Sequence, residues 1–204
     1  GSYRLPRTAS MIGRQPLQNL GDLAALGNEV REQGFGALKT NIFLFDNEPR
    51  MHQPGFARAE GWPELNPSRR VVAAMREQLL AFREGAGEDM DILFDLNFNF
   101  RTEGFLTVTR ELDDLGLGWF EIDLYDPSSL ALIRNSLRTP LASCESLFGL
   151  RGYRPFFEKQ AMDVAIVDVP WNGIWQAQKI AALAESFEVN VAPHNFYGHL
   201  STFM

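Results

Sequence analysis

The stretch Val164-Ala165-Ile166-Val167-Asp168 is an unbroken apolar run that ends in a carboxylate. A short apolar run without polar alternation is typical of a strand that is buried on both faces of a sheet. Four other apolar runs end in one ionisable residue in the same way, and these residues are Asp95, Glu121, Glu145 and His194. The intervals between the five successive residues are 26, 24, 23 and 26. An interval of this size fits one strand, one helix and two short loops, so the pattern predicts repeated βα units.

Helix signals occupy the intervals between the apolar runs. The candidate helix starts are Asn66-Pro67, Thr102, Asp126-Pro127 and Asn172. Alternating strands and helices predict a parallel sheet, which can be an open doubly wound sheet or a closed TIM-type barrel. Two features favour the α/β barrel: a polar residue recurs at every strand end, and the chain has no glycine-rich phosphate loop. Barrel enzymes carry their catalytic groups at these C-terminal strand ends.

The number of units predicts an incomplete barrel. We identify six strands, which end near Lys39 and at the five residues above, whereas a TIM-type barrel has about eight. We therefore interpret residues 1–204 as one partial (β/α) barrel domain, and we expect the natural protein to extend beyond both ends of this sequence. From Lys39 to Asp95 the chain runs 56 residues, which is longer than one unit needs. The excess predicts a loop insertion at about 43–65 that either covers the site or is a plain surface insertion.

Charge and composition restrict the class of partner. The net charge of −7 argues against nucleic acid or an anionic membrane as a partner. The single cysteine, Cys144, excludes an internal disulfide and fits a reducing cytoplasm. No apolar run is long enough to predict a transmembrane helix. The sequence therefore predicts a cytoplasmic protein that acts on a small molecule.

Three carboxylates, Asp95, Glu121 and Glu145, are predicted to follow three consecutive strands. Neighbouring strands are about 4.8 Å apart, so carboxylates at their ends repel one another unless a cation or a proton neutralises them. A hard divalent cation such as Mg²⁺ prefers oxygen ligands of this kind. The alternative is that each carboxylate is a surface residue of its loop, but the shared spacing favours a metal site.

The next two strand ends carry Asp168 and His194. On adjacent strands, an Asp can bind one ring nitrogen of a His and leave the other nitrogen as a general base. The alternative for the His is a structural hydrogen bond to a loop carbonyl. Lys39, at the first strand end, can bind an anion or stabilise developing negative charge, although a solvated Lys is equally compatible with the sequence.

The order of these motifs resembles the mandelate racemase/muconate lactonizing enzyme branch of the enolase superfamily. The motifs are Gly34-Phe-x-Ala-x-Lys39, Asp95-x-Asn97, Trp119-x-Glu121, Glu145, Asp168 and Pro193-His194-Asn195, and the similarity runs from about Gly34 to the end of the sequence. Each motif is short, but their order and spacing together are specific. The resemblance implies a TIM-type barrel accompanied by a separate capping domain, of which this sequence holds neither segment.

The resemblance also implies a role for each residue. Asp95, Glu121 and Glu145 are implied to bind Mg²⁺, and His194, paired with Asp168, to be the acid or base on one face of the substrate. Lys39 matches the first Lys of a Lys-x-Lys motif and is implied to contact the substrate carboxylate. Asn41 replaces the second Lys, the base on the opposite face, and an amide cannot accept a proton at neutral pH. Asn41, Asn97 and Tyr125 are candidate substrate-binding residues.

One base suffices for an elimination, so the sequence favours a Mg²⁺-dependent lyase that dehydrates an acid sugar to a 2-keto-3-deoxy acid. Racemisation or epimerisation of a 2-hydroxy or related carboxylate is the alternative, if another residue replaces the missing Lys. A non-catalytic barrel relative is a further alternative. We expect a small carboxylate substrate and a homo-oligomer, with no nucleic acid or membrane partner.

Overall fold

The computed structural model describes residues 6–11, 13–46, 48–56 and 67–204. The chain divides into two compact units, of which the first ends at Phe120 and the second is Glu121–Met204. The division falls inside one strand, Trp119–Glu121.

The first unit alternates helices with parallel strands and carries one antiparallel hairpin. Its elements are α1 Pro6–Met11, α2 Leu20–Glu32, β1 Ala37–Thr40, β2 Phe43–Leu44, β3 Arg50–Met51, α3 Arg69–Ala86, β4 Asp91–Asp95, α4 Thr102–Leu112 and most of β5 Trp119–Glu121. Strand β1 pairs in parallel with β4, from Ala37 opposite Asp91 to Thr40 opposite Phe94. The backbone N–H of Gly118 donates to the carbonyl of Ile92 and leads β5 alongside β4.

The second unit has the same alternation. Its elements are α5 Pro127–Arg134, β6 Leu141–Ser143, α6 Gly149–Glu158, β7 Val164–Asp168, α7 Val169–Asn172, α8 Ile174–Ser186, β8 Asn190–His194 and α9 His199–Phe203. Strands β6, β7 and β8 are parallel neighbours, and Asp168 lies opposite His194 in the register. All five residues of β7 are buried, as its continuous apolar sequence predicts.

Four of the five predicted strand ends coincide with the observed ones. Strands β4, β5, β7 and β8 end at Asp95, Glu121, Asp168 and His194. The fifth differs, because β6 ends at Ser143 and Glu145 lies two residues beyond it. Cys144 interrupts the strand with a φ of 85°, a backbone conformation that a residue with a side chain rarely adopts.

Two predicted helix starts are wrong, and the reason is a competing hydrogen bond in each case. Helix α3 begins at Arg69 because the Ser68 side chain accepts from the N–H of Val71, whereas the sequence had indicated Asn66-Pro67; Asn66 lies outside the described residues. Asn172 does not cap α8, since its side chain accepts from the N–H of Gly149. The Asp126 cap is confirmed, because its carboxylate accepts from the N–H of Ser129.

The predicted insertion at about 43–65 includes the antiparallel pair β2–β3 and a 3₁₀ helix over Pro54–Phe56. Residues 57–66 lie outside the described residues. Gly55 packs directly on the backbone of Phe98 and Asn99, and its N–H donates to the Asn99 side chain at 3.1 Å. The part of the insertion around Gly55 is therefore anchored to the loop that follows β4.

Gln78 on α3 fixes the chain just after β1. Its side chain is fully buried. The Oε1 atom accepts from the N–H of Phe43 at 2.8 Å, and Nε2 donates to the Thr40 hydroxyl at 3.0 Å and to the Asn41 carbonyl at 2.6 Å. One side chain thus satisfies a backbone donor and a backbone acceptor at the point where the strand leaves the sheet.

Replacing Gln78 by Leu should destabilise the protein by about 2 kcal/mol. The substitution leaves the buried Phe43 N–H without its Gln78 acceptor, and an unsatisfied group of this kind costs about 1–3 kcal/mol; the part-buried Asn41 carbonyl keeps the Thr40 hydroxyl as a donor. The free energy of unfolding, measured by urea denaturation, is the readout. Gln176→Leu, at an exposed position of α8, is the matched control and should change it by less than about 0.5 kcal/mol. Equal effects of the two substitutions would contradict this role of Gln78.

Candidate active site

Four of the predicted site residues meet in the first unit around the carboxylate of Asp95. Asp95 ends β4 and is buried. Its Oδ2 lies 3.6 Å from Lys39 Nζ and accepts from Asn41 Nδ2 at 3.2 Å. Its Oδ1 accepts from the N–H of Asn97 at 2.9 Å. One positive charge and two polar N–H groups therefore hold this carboxylate in place.

Asn41 also donates from Nδ2 to the side-chain oxygen of Asn97 at 3.2 Å. Asn97 has a φ of 47°, a left-handed conformation that Asn adopts more readily than most residues. The side chains of Asn41 and Asn97, which we predicted to bind substrate, are thus linked to each other, and Asp95 is bound by the Asn41 side chain and the Asn97 N–H. Asn41 acts here as a hydrogen-bond donor to a carboxylate, and its amide cannot accept a proton at neutral pH.

The second unit contains the predicted Asp–His pair. His194 Nδ1 lies 2.7 Å from Asp168 Oδ2. The Asp168 carboxylate is fully buried, and its Oδ1 accepts from the N–H of Trp171 at 2.8 Å. Asp168 acts at the same time as the N-cap of α7, so the helix start fixes the carboxylate that faces the imidazole. This geometry favours the tautomer with its proton on Nδ1 and leaves Nε2 with a lone pair.

Tyr197 is a third partner of Asp168, and sequence reasoning missed it. Its hydroxyl donates to Asp168 Oδ2 at 2.5 Å. Partial removal from water, together with the bond to Asp168, raises the pKa of Tyr197 above its ordinary value, so the hydroxyl keeps its proton and donates it. No sequence signal separates Tyr197 from any other aromatic residue of the C-terminal segment, because the contact depends on how the chain turns after β8.

Glu145 lies beside the imidazole of His194. Its Oε1 is 3.5 Å from His194 Nε2. The residue before it, Cys144, is buried with its strained positive φ, and such strain persists only where the surrounding structure enforces it. Burial, followed by the nearby negative charge of Asp123, raises the pKa of the Cys144 thiol, so Cys144 is a neutral packing residue. The strained turn aims Glu145 towards the histidine.

Asn172 joins the loop after β6 to the loop after β7. Its Oδ1 accepts from Gly149 N–H at 2.8 Å, and its Nδ2 donates to the carbonyls of Leu147 and Asp168 at 3.2 Å and 3.0 Å. The rings of Phe148 and Trp171 stack beside this link with centroids 5.6 Å apart. The segment that follows β6, which contains Glu145, is therefore held against the end of β7 at Asp168 by the Asn172 amide and the stacked rings of Phe148 and Trp171.

The other predicted residues of the second unit differ in exposure. Glu121 is fully buried at the end of β5, and Asp123 is buried two residues later. Tyr125, a predicted substrate-binding residue, is exposed on the loop before α5. Glu121 is therefore removed from water at its strand end, whereas Tyr125 lies on the surface, and the roles of both residues stay predictions.

A hard cation fits the donor set by its chemistry. Asp95 lies in the first unit, and Glu121 and Glu145 lie in the second; all three are oxygen donors, the ligands that Mg²⁺ prefers. Within residues 6–11, 13–46, 48–56 and 67–204, no three or more His, Cys, Asp or Glu side chains are grouped closely enough to hold a metal ion. Asp95 is paired instead with Lys39, and Glu145 with His194. These three carboxylates therefore stay predicted ligands.

Among the helices of the described residues, none is both long and apolar enough to cross a membrane.

Known proteins similar to this chain include acid-sugar dehydratases and an epimerase. D-xylonate dehydratase of Haloferax volcanii is 29% identical over 178 residues, which are 85% of this chain and 40% of that protein. D-gluconate/D-galactonate dehydratase of Picrophilus torridus is 26% identical over 184 residues, which are 89% of this chain and 43% of that protein. The chain spans less than half the length of these relatives.

A solved structure from Burkholderia xenovorans strain LB400 is more similar in sequence. That protein is provisionally assigned as an L-alanine-DL-glutamate epimerase and is 50% identical, with a TM-score of 0.88 over 92% of this chain and 48% of that one. A second crystal structure carrying the same assignment, from the same strain, is bound to magnesium and fumarate.

The sequence profile of one family covers most of the chain, from residue 22 to residue 204. This match and the similar structures confirm the predicted fold, an α/β barrel of which this chain holds a part. The chain belongs to the family described as enolase C-terminal domain-like, within the enolase superfamily.

Proposed function

We propose that this chain carries the catalytic groups of a Mg²⁺-dependent lyase, which removes the proton α to the carboxylate of an acid sugar and eliminates water to give a 2-keto-3-deoxy acid. The observation that carries the proposal is the Asp168–His194 pair, with 2.7 Å between Oδ2 and Nδ1. A buried carboxylate that binds one ring nitrogen orients the imidazole and leaves the other nitrogen with a lone pair, which is the arrangement of a general base. The dehydratases among the relatives support the substrate class.

His194 is the base. Its Nε2 removes the α-proton, and the anionic Asp168 stabilises the imidazolium that results. The same imidazolium can then return a proton to the departing hydroxyl, so that water leaves and an enol remains. The enol tautomerises to the 2-keto acid. One residue therefore serves the elimination first as base and then as acid.

The negative charge that develops on the substrate carboxylate has to be stabilised. We assign Lys39 to contact this carboxylate and Asp95, Glu121 and Glu145 to bind Mg²⁺. When bound, Mg²⁺ supplies positive charge that makes the α-proton more acidic. The Lys39 ammonium lies 3.6 Å from the Asp95 carboxylate, so β1 places a positive charge beside carboxylate oxygens, which is the contact proposed for the substrate.

Asn41 favours elimination over inversion. Epimerisation with two bases requires a proton acceptor on each face of the substrate, and the amide of Asn41 is engaged as a donor to Asp95 and Asn97. Elimination needs the His194 face alone. The epimerase assignment of the 50% identical structure nevertheless makes epimerisation of a carboxylate the second candidate. A cytoplasmic homo-oligomer, without nucleic acid or membrane partners, remains our prediction.

The two candidates predict different products in D₂O. Incubated with Mg²⁺ and a panel of acid sugars, the full-length protein should release a 2-keto-3-deoxy acid, detected by mass spectrometry and as its semicarbazone. Deuterium at the α-carbon with inverted configuration, without a keto acid, would establish epimerisation and exclude the dehydratase. A panel of dipeptides and amino acids is the parallel arm for the epimerase, because the related structure is assigned to such a substrate.

A further inference from the structure

We infer that Tyr197 is a positioning residue of the proposed active site, which holds the Asp168–His194 pair in the orientation that a general base requires. The inference rests on the proposed function and adds to it a residue that none of the sequence motifs contains. Two contacts carry it: a hydrogen bond to Asp168 and an aromatic contact with His194.

The hydrogen bond fixes which oxygen of Asp168 faces which donor. Asp168 is fully buried, and its Oδ1 is taken by the N–H of Trp171. Its Oδ2 receives both the Tyr197 hydroxyl at 2.5 Å and the His194 ring at 2.7 Å. Since a carboxylate oxygen accepts two hydrogen bonds in different directions, the hydroxyl occupies one of them and leaves the other for Nδ1–H.

The aromatic contact fixes the plane of the imidazole. The Tyr197 ring meets the His194 ring edge to face, with centroids 6.0 Å apart and planes at 88°. The Phe196 ring packs against both rings, and its centroid lies 5.4 Å from the His194 centroid and 4.4 Å from the Tyr197 centroid. Tyr197 therefore contacts both members of the pair, one through its hydroxyl and the other through its ring.

Positioning matters here because one nitrogen of the imidazole has to face Asp168 and the other has to face the substrate. His194 Nδ1 lies 2.7 Å from Asp168 Oδ2, and a proton on Nδ1 leaves Nε2 with a lone pair. Tyr197 holds Asp168 in the position that makes this bond.

Replacing Tyr197 by Phe removes the hydroxyl and keeps the ring. We expect kcat to fall about tenfold, the effect of one lost charge-assisted hydrogen bond, with KM changed less than about twofold. Tyr197→Leu, which also removes the ring, should lower kcat further. Phe203→Leu is the control for disturbing the same terminal segment, because Phe203 is 87% exposed and should leave kcat unchanged.

A spectroscopic readout separates this role from the proposed activity. The ¹H–¹⁵N NMR signal of the His194 Nδ1–H should be observed in the wild type and should shift and exchange faster in Tyr197→Phe. The chain contains three histidines, so loss of the signal in His194→Asn assigns it. An unchanged Nδ1–H signal in Tyr197→Phe would overturn the inference, whatever happens to kcat. A wild type without activity would overturn the proposed function, while the NMR comparison would still decide the role of Tyr197.

Discussion

His194→Asn should lower turnover by about 10²–10⁴-fold, the contribution that a general base makes to catalysis. The amide can still donate a hydrogen bond to Asp168, so the buried carboxylate keeps a partner and the fold should be preserved. It cannot take a proton from the substrate. The loss should appear in kcat, since removing the base affects the transition state and leaves substrate binding largely intact. Steady-state kinetics on the acid sugar identified by the panel is the measurement.

His199→Asn is the matched control for this substitution. His199 begins α9 five positions further along the chain, is exposed, and makes none of the contacts of the Asp–His pair. The same chemical change there should leave kcat within about twofold of the wild type. If His194→Asn retained a tenth or more of the wild-type kcat, the assignment of His194 as the base would be wrong.

Gly85→Ala should destabilise the first unit by about 3 kcal/mol or more. Gly85 lies where α3 packs against α2, and an added Cβ would fall 2.5 Å from the carbonyl carbon of Ala24 and 2.9 Å from its Cα, with its oxygen nearer still. These are backbone atoms, so the two helices would have to separate. The higher helix propensity of Ala, worth about 1 kcal/mol, is too small to offset this overlap.

Thermal unfolding monitored by circular dichroism measures the effect of Gly85→Ala. For a protein of this size, 3 kcal/mol corresponds to a fall in Tm of roughly 6–12 °C. Gly36→Ala is the matched control, because a Cβ on Gly36 meets nothing within 4 Å and its φ is outside the left-handed range. A Gly85→Ala protein that melts at or above the wild-type temperature would show that α2 and α3 are not packed as described.

The sequence predicted the strands well because their pattern is local. The run Val164–Asp168 is buried along its whole length and forms β7 with the boundaries that its apolar residues indicate. Strand β6 ends two residues before Glu145, which was the predicted strand end. Tertiary packing imposes the positive φ of Cys144 that ends the strand, and nothing in the local sequence predicts this conformation for a cysteine. Spacing alone places a residue near a strand end but does not fix the turn that follows it.

Contacts over long sequence distances account for what the sequence could not predict. Gln78 binds Thr40 and Asn41 from another element, and Tyr197 reaches Asp168 across 29 positions. Neither residue belongs to a motif. Helix α6 was not predicted, because Pro155 and two glycines lower the intrinsic helix propensity of its sequence. Burial of Tyr153, Phe156 and Phe157 stabilises the helix instead.

His194 is proposed to remove a proton next to a carboxylate, in a site where Asp95, Glu121 and Glu145 would bind Mg²⁺. The most direct test is the formation of 2-keto-3-deoxy acids from a broad panel of acid sugars by the full-length protein, with and without Mg²⁺, beside the Glu121→Gln and His194→Asn variants. We predict that at least one acid sugar yields its keto acid, that EDTA abolishes the reaction and Mg²⁺ restores it, and that both variants lose it. No turnover of any substrate by the wild type, together with no rise in Tm on adding Mg²⁺, would contradict the claim and favour a non-catalytic relative of the family.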